Sequence, residues 1–145
     1  MPYHPMNEDE VRAFLAGPPV RPAMLATVRA DGRPHVAPIW FDLDDDGALV
    51  FNTGAETVKG RNLAREGRAS LCVDDDRPPF SFVVVEGTVE ISDHLPDVAH
   101  WAARIGGRYM GAARATEYGA RNGVPGELLV RLRPERVVSA AHLSD

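Results

Sequence analysis

Cysteine is nearly missing from this chain: Cys72 is the single one among 145 residues, so no internal disulfide can form. Long hydrophobic runs are missing too. The longest, such as "FVVV" at 82–85, fall far short of the roughly 20 apolar residues that a membrane-spanning helix needs. No positively charged segment followed by an apolar one opens the sequence, so the cytoplasm is the expected compartment and no membrane partner is expected. Basic excess is absent: a net charge of −5 and a pI near 5.5 argue against a nucleic-acid partner. The five histidines offer no metal-ligand spacing on one element apart from His94 and His100, six apart, so no metal centre is expected. No G-x-S-x-G elbow or acid–base dyad is present, which leaves the chemistry of any enzyme here to a bound cofactor.

The length fits one domain, 1–145. Asn7 with Glu10 three positions later forms a capping box before apolar Val11, Phe14 and Leu15, predicting a helix over about 7–16. From Ala23 the pattern turns strand-like in "AMLATVR", "HVAPIWFDL", "ALVFNT", "ASLCVD", "SFVVVEGTVEIS" and "ELLVRLRPERVVSA". "ADGRP" at 30–34 and "DDDG" at 44–47 supply hairpin turns between successive strands. "TVKGRNLAREG" reads as a short helix with Val58, Leu63 and Ala64 on one face and Gly67 at its end. A helical insertion over about 95–122 carries Leu95, Val98, Trp101, Ala102 and Ile105 at helical spacing. Antiparallel strands with short helices predict a small α+β protein, mainly β, whose sheet closes into a barrel.

"TVKGRNLAR" is the sharpest candidate site. The Thr57 hydroxyl caps the helix, and the first-turn N–H groups with the positive end of the dipole attract an anion such as phosphate. Lys59 and Arg61 add charge and Asn62 adds side-chain donors. The alternative is an ordinary solvated helix. A Walker loop is excluded because Lys59-Gly60 stands where Gly-Lys followed by Ser or Thr is required. "DLDDDG" at 42–47 imitates the start of a calcium loop, but Thr53 occupies the place of the closing Glu, so a hairpin turn is expected. Cys72 alternates with Leu71 and Val73 and reads as a half-buried, inert thiol.

Together, "MLATVRADGRPHVAPIWFDLDDDGALVFNT", "TVKGRNLAREGRASLCVDDD" and "FVVVEGTVEI" resemble the pyridoxamine 5'-phosphate oxidase-like split β-barrel superfamily. The "HVAPIWF" strand, the T-x-K-x-R-N-L run and the "R-x-S-L-x-V" strand look most like its actinobacterial deazaflavin (coenzyme F420)-dependent oxidoreductases. The resemblance covers about 20–93 and the closing strand near 127–141. It implies a six- to seven-stranded antiparallel split β-barrel of the flavin mononucleotide (FMN)-binding type with short flanking helices.

It further implies that Thr57, Lys59, Arg61 and Asn62 hold a cofactor phosphate, and that Pro38, Ile39, Trp40, Asn52 and Thr53 contact the ring or ribityl chain. The cofactor implied is F420, with FMN as the alternative. The implied assembly is a homodimer with cofactor sites at the interface, to which Trp101, Arg104, Arg108 and Tyr109 are the partner's contribution. The arginines at 61, 65, 104, 108, 114 and 121 either face an acidic cofactor tail or are solvated helix charges. Vitamin synthesis is not expected, because the chain is short and lacks the C-terminal substrate motif of pyridoxamine phosphate oxidase itself.

The implied activity is hydride transfer between reduced deazaflavin and a small organic acceptor at an activated double bond, with Tyr109 or Tyr118 as candidate proton donors. The competing readings are an FMN-dependent oxidase or reductase and a non-catalytic cofactor-binding protein. A haem-degrading relative is disfavoured because no histidine stands out as an iron ligand.

Overall fold

Strand positions follow the alternation of the sequence closely. The computed structural model describes residues 4–145. Its strands are β1 (Ala23–Val28), β2 (Pro34–Ile39), β3 (Asp42–Leu43), β4 (Leu49–Gly54), β5 (Arg68–Asp75), β6 (Ser81–Ser92) and β7 (Glu127–Ala140). The helices are α1 (Glu8–Ala16), α2 (Val58–Glu66), α3 (Leu95–Met110) and α4 (Ala115–Asn122), with one 3₁₀ turn before α4. The capping box of α1 forms, with Asn7 accepting from the Glu10 N–H and Glu10 accepting from that of Asn7. No described helix is long and apolar enough to cross a membrane.

All seven strands pair antiparallel in the order β2-β1-β5-β6-β7-β4-β3. One expected strand is in fact two: "HVAPIWFDL" breaks at Trp40-Phe41. The break matters because β2 and β3 lie at opposite edges of the sheet yet are joined by those two residues alone. The three Cα–Cα steps from Ile39 to Asp42 span at most about 11 Å, so the edges must approach and the sheet must curl into a split barrel.

The free edge of β2 faces that split. At the β1–β2 hairpin, Arg29 N–H donates to the Arg33 carbonyl at 2.9 Å and Gly32 N–H to the Arg29 carbonyl at 2.9 Å, with Gly32 at φ 88°. This is a type I turn closed by a left-handed residue that glycine adopts without strain. Counting on in twos from Arg33, His35, Ala37 and Ile39 turn their backbone toward β1, and Pro34, Val36 and Pro38 toward the open edge. Two of those three lack an N–H, as suits an unpaired edge strand.

The barrel interior is packed by Leu25, Phe41, Leu49, Phe51, Leu63, Leu71, Val73, Val83, Val85, Val130 and Leu132. A second cluster, Val50, Val98, Trp101, Ile105 and Leu129, covers the outer face of β4 and β7 with α3. Both faces of β4 are therefore buried, which explains the unbroken apolar run at its start. Helix α4 folds back on α3 at close range, since a Cβ on Gly106 would lie 2.2 Å from the Tyr118 Cβ.

Candidate functional site

A cleft of about 340 Å³ opens at the split in the barrel. Its walls are Pro22, the end of β2 (Pro38, Ile39) with Trp40, Asn52 of β4, Lys59 of α2, Ala102, Ile105 and Gly106 of α3, and Asn122 at the end of α4. Its size falls within the range of small-molecule pockets, roughly 300–1,000 Å³. The lining mixes apolar side chains (Pro22, Pro38, Ile39, Trp40, Ala102 and Ile105) with two carboxamides, Asn52 and Asn122, and the ammonium group of Lys59.

The start of α2 is held by a tight local network. Thr57 Oγ1 accepts from the Gly60 N–H at 3.0 Å and donates to the Gly54 carbonyl at 2.7 Å. Its hydrogen being spent there, the Thr53 hydroxyl is the donor in the 3.3 Å contact between the two. A Cβ on Gly60 would sit 2.1 Å from the Gly54 oxygen, so only glycine lets the helix start so close to the end of β4. The N–H groups of Val58 and Lys59 have no acceptor among the described residues, as expected of a first helical turn. Lys59 takes part in none of the ion pairs among the described residues.

Of the nine candidate cofactor residues, Pro38, Ile39, Trp40, Asn52 and Lys59 come together on the cleft wall. The other four lie behind or beside it. Thr53 is buried and Thr57 is committed to the cap. Arg61 is largely exposed and pairs with Glu56 at 2.7 Å. Asn62 is only 3% exposed: its Nδ2 donates to Thr27 Oγ1 at 3.0 Å, and its Oδ1 accepts from Arg65 at 3.0 Å. Val58 and Ala64, expected on the inner face of α2, are exposed, and Gly60, Asn62 and Leu63 are the buried residues instead.

Trp40 stacks on Tyr109 with 5.0 Å between ring centroids and 4° between planes, and Tyr118 approaches at 5.8 Å. Tyr109 is pinned, since its O–H donates to the Arg21 carbonyl at 2.8 Å and its oxygen accepts the Phe41 N–H at 3.3 Å. Burial pushes its acidity constant above the usual phenol range, the Phe41 N–H pulling the other way. Its hydroxyl is thus a structural strut, and Tyr118 is buried beneath Arg114 and Arg121.

The arginines expected to face a partner or a cofactor tail from α3 are used within their own chain. Arg104 binds Asp42 at 2.9 Å and lies over Trp101, and Arg108 binds the carbonyls of Phe41, Leu15 and Ala16. The α3 wall of the cleft, Ala102, Ile105 and Gly106, together with Pro22 and Asn122, escaped the sequence reading. Helical periodicity marks Ala102 and Ile105 as apolar-face residues but does not distinguish a cleft wall from a core.

Two other motifs resolve simply. Asp44 Oδ1 accepts from the N–H groups of Asp46 and Ala48, both at 2.9 Å, making "DLDDDG" the expected hairpin turn. Cys72 is half-buried on β5, and burial first, then Asp74, raises its thiol above the ordinary range.

Comparison with known proteins agrees with this architecture. Residues 8–140 match the family described as pyridoxamine 5'-phosphate oxidase. The 5a,11a-dehydrotetracycline/5a,11a-dehydrooxytetracycline reductase of Streptomyces rimosus is 30% identical over 122 residues, covering 79% of this chain and 70% of that one. The F420H2-dependent biliverdin reductase of Mycobacterium tuberculosis is 31% identical over 140 residues, covering 94% and 90%. The solved structure of a conserved hypothetical protein of Mycobacterium tuberculosis superimposes with a TM-score of 0.81 at 26% identity, covering 96% of this chain and 87% of that one. With the family match spanning nearly all of the described residues and the split barrel in place, the chain belongs to the pyridoxamine 5'-phosphate oxidase-like family of oxidoreductases.

Proposed function

We propose that the protein is an F420-dependent oxidoreductase that moves a hydride between reduced deazaflavin and a small organic acceptor at an activated double bond. The observation that carries this reading is one cleft that combines Pro38, Ile39, Trp40 and Ile105 with Lys59, beside an α2 start whose Val58 and Lys59 N–H groups have no acceptor among the described residues. A planar ring bearing a phosphate fits that donor set: the ammonium and helix dipole meet the anion, and Trp40, Ile39 and Ile105 cover the ring. Relatives of about 30% identity named for reductase activity support the reaction class.

Lys59 and the N–H groups of Val58 and Lys59 anchor the phosphate. Pro38, Ile39, Trp40 and the α3 wall exclude water from the ring. Asn52, whose Nδ2 makes only a long 3.4 Å contact to the Val98 carbonyl, keeps hydrogen-bonding capacity for the ring or the acceptor. When bound, the reduced deazaflavin supplies the hydride. Among the described residues no histidine, carboxylate, cysteine or tyrosine lines the cleft, and Lys59 is committed to the phosphate, so in this reading the proton that completes reduction comes from solvent.

The assembly belongs to the same reading: a homodimer formed through the outer face of the sheet. Cross-strand register lines up Pro38, Met24, Cys72, Val84 and Val138 in one apolar row over five strands. Met24 and Val138 are 45% and 39% exposed, more than an isolated surface needs. FMN in the same cleft is the second reading, favoured by the phosphate anchor, which does not read the ring.

The test is a single-turnover assay: reduced F420 mixed with the protein and a panel of conjugated enones. Protein-dependent return of the oxidised-deazaflavin spectrum is expected. Return of the reduced flavin's oxidised spectrum only when FMN replaces F420 would transfer the reading to FMN, and no turnover with either would leave a binding protein.

A further inference from the structure

We infer that Asn62 is a positioning residue: with Thr27 and Arg65 it forms a clamp between α2 and β1 that aims Lys59 and the first helical turn at the ligand phosphate. The inference rests on the phosphate reading above but assigns Asn62 a different task, one in which it never touches the ligand.

Helix α2 has nine residues, too few to hold its shape or its place without tertiary contacts. Beyond the Thr57 cap bonds at its first turn, three contacts are available. Gly60 meets Gly54 at the start, which fixes how far the helix lies along β4. Leu63 is fully buried in the barrel core, which sets its depth. The Thr57 bonds to the Gly54 carbonyl and the Thr53 hydroxyl hold the first turn, but the aliphatic Leu63 contact is non-directional and does not fix the roll of the second turn. The third contact is directional. Asn62 donates to the Thr27 hydroxyl, Arg65 donates to Asn62 Oδ1, and Arg65 also donates to the Val28 carbonyl.

Asn62 thus spends one amide proton and its oxygen inside the protein, at a position where an unmet polar group is costly. Residues three apart on a helix are surface neighbours, so locking Asn62 sets the direction of Lys59. Thr27 is itself 3% exposed and belongs to β1, where it lines no part of the cleft. The clamp therefore reaches from the rigid sheet to the ammonium through one hydrogen-bonded amide.

The consequence is specific. Loosening the clamp weakens whatever part of binding depends on the phosphate and spares the part that depends on the ring.

The test measures dissociation constants for F420 and for its phosphate-free deazariboflavin chromophore with four proteins: wild type, Lys59→Ala, Thr27→Val and Asn62→Asp. Each is first shown to melt cooperatively. Thr27→Val is expected to weaken F420 by about tenfold, the scale of one lost hydrogen bond, and to change chromophore binding less than about twofold.

Asn62→Asp keeps both clamp bonds, since a carboxylate accepts from Arg65 and from the Thr27 hydroxyl, and is expected to hold F420 within about threefold of wild type. Were Asn62 a direct phosphate ligand, that carboxylate would repel the anion and match or exceed the loss in Lys59→Ala, which overturns the clamp. Equal weakening of both ligands by Thr27→Val, or none, also overturns it. If Lys59→Ala leaves F420 affinity unchanged, or wild type binds neither ligand, the phosphate reading itself fails and takes the clamp with it.

Discussion

The indole of Trp40 lies parallel to the ring of Tyr109, 5.0 Å away, and Tyr109 is tied by its hydroxyl to the Arg21 carbonyl. The exposed face of Trp40 is thereby held as a fixed wall of the cleft. Tyr109→Phe keeps the stack but strands the Phe41 N–H and the Arg21 carbonyl, and should cost about 1–3 kcal/mol of stability by denaturant unfolding. Tyr109→Ala removes the support altogether, costs about 3–5 kcal/mol, and should broaden and red-shift the tryptophan emission.

Gly60→Ala puts a methyl group where the Gly54 oxygen already stands, 2.1 Å from the ideal Cβ. The helix start must retreat from β4, at a cost of about 1–3 kcal/mol. Because the retreat carries Lys59 with it, affinity for the phosphate-bearing ligand should fall together with stability. Isothermal titration alongside thermal melts checks both. A stable variant with unchanged affinity would show that this close approach does not place the anchor.

Met24→Glu places a charge in the middle of the apolar row on the outer sheet, between Pro38 and Cys72 in register. Two copies meeting across that face would bury it, at a cost of several kcal/mol in association. Light scattering coupled to size exclusion should show a dimer for wild type and a monomer for the variant. A monomeric wild type at micromolar concentration would contradict the assembly.

Among the described residues, no side chain with an ordinary acidity constant near neutrality lines the cleft. Single-turnover hydride transfer should therefore vary by less than about twofold between about pH 6 and 8. A sigmoidal profile centred there would reveal a proton donor that the cleft lining does not contain. The Cys72 thiol offers a separate check. Its raised acidity constant means less thiolate at neutral pH, so alkylation should be slower than that of free cysteine and accelerate only above the ordinary thiol range.

How far the sequence could be read depended on whether the signal was local. The bounds of β6 and β7, the α1 capping box and the two Asp/Gly hairpins rest on alternation and turn chemistry within a few residues, and all form as read. The break at Trp40 did not announce itself, because alternation continues across it; only the demand that β2 and β3 sit at opposite edges separates them. In α2 the helical wheel favoured Val58 and Ala64 as inner residues, yet the inner face carries Gly60 and Asn62. A glycine has no apolar signal, and an asparagine is buried only because Thr27 and Arg65 meet it from distant positions in the chain. The α3 side of the cleft was hidden for a similar reason: Ala102, Ile105 and Gly106 look identical whether they face a core or a ligand.

The most direct test of the central claim is equilibrium binding of oxidised F420 and of FMN, side by side, to the purified apo-protein by fluorescence titration. Micromolar or tighter affinity for the deazaflavin, well above that for FMN, is the predicted result. Preference for FMN would contradict the deazaflavin assignment while keeping the site, and binding of neither would contradict the cleft as a cofactor site.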